Sequence, residues 1–314
     1  MIKTSLLAAT LGVFATGTMA SDWHASKWGP DDEIGAANHI TPASVLEASK
    51  LIKTGKTYSL GIVVGSDTPA FSPRSLSVTI LQPNQIETDG LGTNGMTYND
   101  DIFMGWLGIG SQIDGLGHIG IKHEYYNGHH DTDFAKTDGL TKLGVEKIPP
   151  LVTRGVLLDM AKFYDQEIVQ EGTPYTKDDI VAAANAQGVE LREGDTVLFH
   201  SGWLNLLDGG EADKKRYVSV EPGLGNSGAE YLAEIGVVAV GADTWGLEVV
   251  PFENGADGVF SVHQTLIPEN GIYILENMDT RELVADGVNE FMFVLGAARL
   301  EGAVQMIINP VAIH

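Results

Sequence analysis

The sequence predicts an α/β fold of the mixed α+β kind, in which helices pack on a mixed sheet. Short β-branched or apolar runs bounded by turn-forming residues recur along the chain, which is typical of strands. Helix signals are fewer. Strands and glycine-rich loops dominate the first half, whereas strand and helix alternate towards the end. This order favours a mixed sheet over a regular doubly wound one.

Two of the predicted strands end in polar side chains that do not suit a buried face. The predicted strands cover residues 58–64, 76–81, 155–158, 196–200, 237–240, 272–275 and 291–294. Glu276 continues the apolar stripe of Ile272 and Ile274, so its carboxylate needs a partner there. His200 ends a stripe where a strand becomes a loop, which suggests a substrate-binding position. A hydrogen-bonded core histidine is the alternative interpretation of His200.

Helix-capping residues mark the predicted helices. A Thr-Pro pair is typical of a helix start, a Thr-x-x-Asp pattern is an acidic variant of the capping box, and glycine is typical of a helix end. The predicted helices run from Thr41-Pro42 to Gly55, from Thr176-x-x-Asp179 to Gly188, and from Asn226 or Ser227 to Gly236.

The first 20 residues have the pattern of a signal peptide. Lys3 gives a positive start, an apolar run covers residues 6–15, and Thr18-Met19-Ala20 resembles a cleavage site. The run is too short to cross a bilayer, although a retained anchor is the alternative. We therefore expect a periplasmic or secreted protein. Residues 21–314 are expected to form a single domain, because no linker, charge block or repeat marks a boundary.

Composition excludes several classes of function. The chain has 42 acidic and 19 basic residues, for a formal net charge of −23. So acidic a surface repels nucleic acid and anionic membranes, and we expect neither as a partner after signal cleavage. The absence of cysteine excludes disulfides, thiolate catalysis and cysteine-bound zinc.

The segment from Gly110 to His118 brings together an amide, a carboxylate and an imidazole. Gln112 and Asp114 are two positions apart, so in an extended segment their side chains leave the same face. Gly115 and Gly117 allow the backbone to bend so that His118 can return towards them. This pattern predicts a functional site.

Other residues are candidates for binding a substrate. Trp28 and Trp106 can form apolar walls for a ring-bearing substrate, with core packing as the alternative. Arg154 can bind a substrate carboxylate, or it can pair with one of the many acids. Neither Ser111 nor Ser201 lies in a Gly-x-Ser-x-Gly elbow, which argues against a nucleophilic serine.

Segments spread over most of the chain resemble the cyclase-like family of metal-dependent hydrolases that contains bacterial kynurenine formamidase and isatin hydrolase. The family hallmark is roughly His-x-Gly-Thr-His-x-Asp-x-Pro-x-His, and residues 108–118 match it. Asp114 and His118 are retained, whereas Gly108 and Gln112 stand at the two histidine positions of the metal site and Leu116 at the proline. Further similar segments are 28–38, 153–159, 200–203, 241–244, and His263 followed by 274–277.

The resemblance implies a swivelling β/β/α fold, a homo-oligomer (dimer or tetramer) and a divalent metal ion. Carried over by position, the ligands are Gln112, Asp114, His263 and Glu276, and His118 is the proton carrier. Loss of two imidazoles shifts the ligand set towards oxygen, which suits Mn²⁺, although carboxylate and histidine also bind Zn²⁺.

The function expected from these residues is hydrolysis of a small-molecule substrate by metal-activated water. The ion would supply hydroxide at neutral pH, and His118 would carry the proton to the leaving group, opening a C–N or C–O bond of a cyclic amide, lactone or acyl compound. Two alternatives remain open. One is a periplasmic binding protein on a disabled enzyme fold, suggested by Gly108 and Gln112. The other is a metal-assisted lyase or dehydratase with His118 as base.

Overall fold

The computed structural model describes residues 25–83 and 86–314 of the chain. The predicted signal peptide therefore lies outside the described residues. None of the helices in the described ranges is both long enough and apolar enough to cross a membrane.

Strands and helices are numbered here in chain order. The strands are β1 (Thr57–Ser59), β2 (Leu76–Leu81), β3 (Asp100–Gly105), β4 (Gln112–Asp114), β5 (Glu124–Tyr125), β6 (His129–His130), β7 (Ala135–Lys136), β8 (Gly139–Leu140), β9 (Leu151–Asp159), β10 (Pro174–Tyr175), β11 (Thr196–His200), β12 (Gly223–Leu224), β13 (Ala239–Ala242), β14 (Tyr273–Glu276), β15 (Glu290–Leu295), β16 (Gln305–Ile307) and β17 (Val311–Ile313). The α-helices are α1 (Pro42–Ser49), α2 (Asp131–Phe134), α3 (Met160–Phe163), α4 (Lys177–Gln187), α5 (Glu211–Tyr217), α6 (Asn226–Ile235), α7 (Ser261–Gln264) and α8 (Arg281–Ala285).

A nine-stranded mixed sheet forms the centre of the fold. Its strand order is β1-β17-β15-β9-β11-β13-β14-β4-β16. The central strands β9, β11, β13 and β14 are parallel, whereas the outer strands pair antiparallel with their neighbours. The predicted fold class, a mixed sheet with packed helices, is confirmed.

The helix ends follow the capping residues of the sequence. Thr176 accepts a hydrogen bond from the backbone of Asp179, and the Asp179 carboxylate accepts one from the backbone of Thr176, so the predicted capping box opens α4. Gly188 ends α4 and Gly236 ends α6 in left-handed conformation, at φ 70° and 84°. The first helix ends at Ser49 instead of Gly55, because the following backbone forms tighter turn bonds.

The parallel strands form the apolar core. Leu198, Val240 and Ile274 are completely buried, and each such side chain stabilises the fold by about 1.5–3 kcal/mol. These strands are covered on both faces, and His200 and Glu276 are polar side chains at the carboxyl ends of β11 and β14. This edge of the sheet carries the candidate site.

A β-hairpin made of β2 and β3 lies outside the main sheet. The strands pair antiparallel from Leu76 opposite Gly105 to Leu81 opposite Asp100. Most of its apolar side chains are exposed; they include Val78, Ile80, Ile102, Phe103 and Met104.

Candidate metal centre

Neighbouring strands place the predicted site residues on one face of the sheet. Asp114 in β4 lies opposite Ile274 in β14, and Gln112 lies opposite Glu276. Residues directly opposite in an antiparallel pair share a face, as do residues two apart in one strand. Asp114, Gln112 and Glu276 therefore point the same way. His263 reaches this face from α7, the helix before β14.

Asp114, His263 and Glu276 form a buried cluster, here called the metal cluster. The His263 Nε2 atom lies 3.4 Å from Glu276 Oε1 and 3.9 Å from Asp114 Oδ2. One ligand atom from each residue lies within 4.8 Å of the other two. Asp114 Oδ2 is buried and has no hydrogen-bond partner in the described part of the chain, which costs several kcal/mol for a charged oxygen. An unpartnered carboxylate oxygen beside an imidazole and a second carboxylate fits a divalent cation.

Glu248 orients the imidazole of His263. Its Oε2 lies 2.7 Å from His263 Nδ1 and also accepts a hydrogen bond from the backbone nitrogen of His263 at 3.1 Å. When Nδ1 donates to this carboxylate, loss of the Nε2 proton leaves the Nε2 lone pair free for a cation held between Asp114 and Glu276. Sequence reasoning missed Glu248. Its signal was a lone carboxylate in the apolar run from Leu247 to Val250.

Burial and neighbouring charges shift the pKa values of the cluster. Burial and the adjacent Asp114 charge raise the pKa of Glu276 to about 7. Burial lowers the pKa of His263, but its hydrogen bonds to Glu248 and Glu276 outweigh burial and raise it to about 10. Protons are therefore held tightly by the atoms that would bind a cation.

The other Asp114 oxygen is held by two carboxamides. Asp114 Oδ1 accepts hydrogen bonds from Gln112 Nε2 at 3.2 Å and from Gln305 Nε2 at 2.7 Å. Gln112, predicted as a ligand, thus turns its nitrogen towards Asp114, and an amide N–H orients a carboxylate but does not coordinate a cation. In this arrangement Gln112 orients Asp114, and its role as a ligand stays a prediction.

Gln305 was missed because it comes from a distant strand. It lies in β16 directly opposite Asp114, on the free side of β4. A Cβ atom on Gly108 would overlap the Gln305 carboxamide. The missing side chain at position 108 therefore leaves the space that Gln305 fills.

His118 lies at the edge of the metal cluster. Its Nε2 atom is 3.9 Å from Asp114 Oδ2 and 3.4 Å from Gln305 Nε2. Burial lowers the pKa of His118 more than the Asp114 charge raises it. The imidazole is thus neutral near pH 7 and able to accept a proton.

A small cavity, here called the site cavity, opens above the cluster and has a volume of about 150 Å³. Phe71 stacks on Trp245, with ring centroids 5.5 Å apart and planes 11° apart. Phe260 meets His263 edge-on at 5.0 Å and opens α7 at φ 53°, a strained backbone for a non-glycine residue. The lining residues are Phe71, Arg74, His118, Ile119, Trp245, Phe260, His263 and Glu276.

Neither of the two tryptophans predicted as substrate walls is among the residues that line this cavity. Trp28 packs edge-on against His39 at 5.1 Å and lines a depression that includes Ile272, just before β14 and at the end opposite Glu276. Trp106 is 47% exposed and lines another depression, beside Gly302. The aromatic residues that line the cavity are Phe71, Trp245 and Phe260. They were not predicted, because Phe71 lies far from the other two in the sequence.

Arg154 and His200 are also not among the residues that line the site cavity. The Arg154 guanidinium lies 2.9 Å from both Asp195 and Glu290, so the acid-pairing interpretation holds. It lies near the amino end of β9, opposite to the edge that carries the site. His200 Nδ1 lies 2.8 Å from Thr280 Oγ1, so His200 is a hydrogen-bonded core residue.

Comparisons with known proteins identify the family. A family model described as "Putative cyclase" matches residues 58–249. The chain belongs to this cyclase family, and the resemblance read from the sequence is confirmed. The crystal structure of "a novel cyclase" is 30% identical, with a TM-score of 0.83 over 92% of this chain and 96% of that chain.

More distant structures share the fold. Isatin hydrolase A from Ralstonia solanacearum is 18% identical, with a TM-score of 0.60 over 87% of this chain and 97% of that chain. A "predicted metal-dependent hydrolase" from Bacillus stearothermophilus is 18% identical, with a TM-score of 0.52 over 82% of this chain and 97% of that chain. No curated protein sequence matches the chain.

Proposed function

We propose that the protein is a metal-dependent hydrolase that opens a C–N or C–O bond next to the carbonyl of a small cyclic amide, lactone or acyl compound. The observation that carries this proposal is the metal cluster, with its unpartnered Asp114 oxygen, beneath the site cavity. The shared fold of isatin hydrolase A supports the same class of reaction.

Asp114, His263 and Glu276 would hold the ion through two carboxylates and one imidazole. This donor set suits Mn²⁺ and also permits Zn²⁺. When bound, a divalent ion would lower the pKa of water towards neutrality and polarise a carbonyl oxygen.

The remaining side chains position the reactants and move the proton. His118, kept neutral by burial, accepts a proton from water and returns it to the leaving group. Gln112 and Gln305 hold Asp114 in place. The aromatic residues Phe71 and Trp245 hold the substrate and exclude water.

The serines near the site are engaged in structural hydrogen bonds. Ser111 Oγ donates to the Asn277 carbonyl oxygen at 2.6 Å and accepts from the Ile62 backbone at 2.8 Å. Ser201 Oγ donates to Asp243 at 2.5 Å. Hydrolysis without a covalent serine intermediate follows.

Metal analysis of the purified protein tests the cluster. We expect one Mn²⁺ or Zn²⁺ per chain, and we expect Asp114→Asn and Glu276→Gln to lose it because each removes an anionic ligand. Glu47→Gln, an exposed substitution on α1, is the matched control and should retain the ion. Chelation should abolish hydrolysis of amides and lactones. If neither Mn²⁺ nor Zn²⁺ bound to the wild-type chain or stabilised it, the proposal would be contradicted.

Substitution of His118 tests its role in proton transfer. His118→Asn should lower kcat by about 10²- to 10⁴-fold, the usual contribution of a general acid–base group, without changing metal content or Tm. His123→Asn, on an exposed side chain, should leave kcat unchanged. Wild-type activity of the His118 variant would remove this residue from the mechanism.

A binding protein on a disabled enzyme fold is the second candidate. Two observations favour it. Gly108 and Gln112 stand where the family hallmark has histidines, and the carboxamides of Gln112 and Gln305 bind Asp114. Stoichiometric metal and ligand binding without turnover would support it. A lyase is distinguished by product analysis in heavy-oxygen water, since only hydrolysis must incorporate the label.

We also propose that the protein is exported and forms a dimer or tetramer. The exposed apolar side chains of the β2–β3 hairpin support a contact between subunits. Light scattering of the mature protein gives its mass, and fractionation of cells gives its compartment. A monomer in solution would contradict the proposed oligomer. A full-length protein found in the cytoplasm would contradict the proposed export.

A further inference from the structure

Arg74 lines the site cavity and is a partly buried arginine without a carboxylate partner among the described residues. Its Nη1 atom donates a hydrogen bond to the Gly108 carbonyl oxygen at 2.6 Å. Other arginines form ion pairs; these are Arg154, Arg192, Arg216 and Arg281.

A partly buried arginine without a carboxylate partner among the described residues is unexpected in so acidic a chain. Acidic residues outnumber basic ones by 42 to 19. A guanidinium has five N–H donors, and the Gly108 carbonyl oxygen engages only part of that capacity. The carbonyl bond fixes the side chain in position, while the charge remains uncompensated by any described carboxylate in direct contact.

The backbone places Arg74 beside an aromatic wall. A turn bond of 2.9 Å joins the Arg74 backbone nitrogen to the Phe71 carbonyl oxygen, so both side chains lie on the same rim of the cavity. Phe71 stacks on Trp245. A cation and a flat apolar surface therefore adjoin each other above the metal cluster.

The size and charge of the cavity limit what can enter. A volume of about 150 Å³ is that of a cavity that holds one benzene ring. A bound divalent cation would offset the two carboxylates of the cluster, and Arg74 is the one lysine or arginine among the described residues that line the cavity. A small anionic ring compound satisfies both features.

We infer that the substrate is a one-ring acyl compound that bears a carboxylate in addition to the scissile bond, and that Arg74 binds this carboxylate. The inference rests on the proposed hydrolase function for the scissile bond. The recognition of an anion by Arg74 is separable from turnover, and the two are tested separately.

Binding of benzenesulfonate and benzenesulfonamide to the Mn²⁺-loaded protein tests the recognition. The sulfonate is a weak metal ligand, so a preference for it reports on Arg74 and not on the ion. We expect the wild-type protein to bind the sulfonate at least about tenfold more tightly in calorimetry, in keeping with a charge-assisted bidentate contact. Arg74→Met should abolish the preference, and Arg74→Lys should retain part of it.

Arg299→Met is the matched control. Arg299 is exposed and bonds only a backbone carbonyl oxygen in the described structure, so its loss changes the net charge equally without touching the cavity. This variant should keep the wild-type preference. Loss of the preference in both variants, or its persistence in Arg74→Met, would overturn the inference.

Hydrolysis of phenyl acetate and meta-carboxyphenyl acetate separates the inference from the proposed function. We expect kcat/KM to favour the carboxylated ester in the wild type, and the ratio to fall to about one in Arg74→Met through KM. Turnover without any preference would overturn the role of Arg74 and leave the hydrolase proposal intact. Sulfonate preference without turnover of any ester or lactone would overturn the hydrolase and leave anion recognition by Arg74 intact.

Discussion

Protons and a divalent cation compete for the same side-chain atoms in the metal cluster. Glu248 holds Nδ1 of His263, so the cation and the second imidazole proton both require Nε2. A proton and the cation compete for the Glu276 carboxylate as well, because burial beside Asp114 favours the protonated form of Glu276. Cation binding must therefore release protons.

Metal affinity should rise with pH over the neutral range. The raised pKa values of about 7 for Glu276 and about 10 for His263 mean that both groups are protonated below pH 7 and only His263 between pH 7 and 10. As the pH rises, the dissociation constant of the cation should thus decrease by up to about 100-fold per pH unit below pH 7 and by about tenfold per unit above it. Mn²⁺ titration calorimetry in buffers of different ionisation enthalpy measures the affinity and the released protons. An affinity independent of pH would contradict this account.

At the scale of secondary structure, local sequence signals predicted where several strands and helices lie, but not which strands pair with each other. The bounds of β2 and β11 match the predicted segments, and the capping box of Thr176 and Asp179 opens α4 as expected. The predicted strand 58–64 is reduced to Thr57–Ser59, since the chain then crosses to an isolated bridge between Gly61 and Met278. Periodicity reports which face a residue occupies, but not which strand pairs with which.

This distinction explains which site residues were found. Asp114, His263 and Glu276 were assigned as ligands by resemblance. Local patterns had also indicated Asp114, in the glycine-framed segment, and Glu276, where a carboxylate ended an apolar stripe. Gln305 and Arg74 were missed because their positions depend on long-range contacts. Gln305 reaches the site only because β16 pairs with β4, and Arg74 because its loop bonds to Gly108. Neither contact leaves a local pattern.

The packing of Gly108 against Gln305 predicts the effect of a single methyl group. In Gly108→Ala the new Cβ would displace the Gln305 carboxamide, the flexible end of a side chain, and so break its bond to Asp114. We expect a loss of about 1 kcal/mol in the free energy of unfolding, and a metal affinity about tenfold weaker. Denaturant unfolding and metal titration measure the two quantities.

The double variant makes this prediction specific. Gln305→Ala should weaken metal binding by a similar factor, and Gly108→Ala combined with it should add little, because both act through one hydrogen bond. Gly296→Ala is the matched control, since its Cβ meets open space. Additive losses in the double variant would show that the two residues act independently.

At the scale of the whole molecule, the fold separates an apolar interior from a strongly acidic exterior. The parallel strands supply the buried core, while most charged residues remain outside it. With 42 acidic against 19 basic residues, like charges repel across the surface. Ion pairs such as Lys50 with Glu47 are exposed and worth little each, so they do not offset this repulsion.

Monovalent salt should therefore stabilise the protein. Raising NaCl from about 10 mM to about 150 mM shortens the Debye length from about 30 Å to about 8 Å, which screens the repulsion that a net charge of −23 creates in the folded chain. We expect about 1 kcal/mol of added stability, which corresponds to a Tm increase of a few degrees in calorimetry of the chelated protein at neutral pH. The increase should diminish as the pH approaches the isoelectric point of about 4.5, where the net charge disappears. A Tm that falls with added NaCl at neutral pH would mean that attractive ion pairs, and not the excess of acids, dominate the surface.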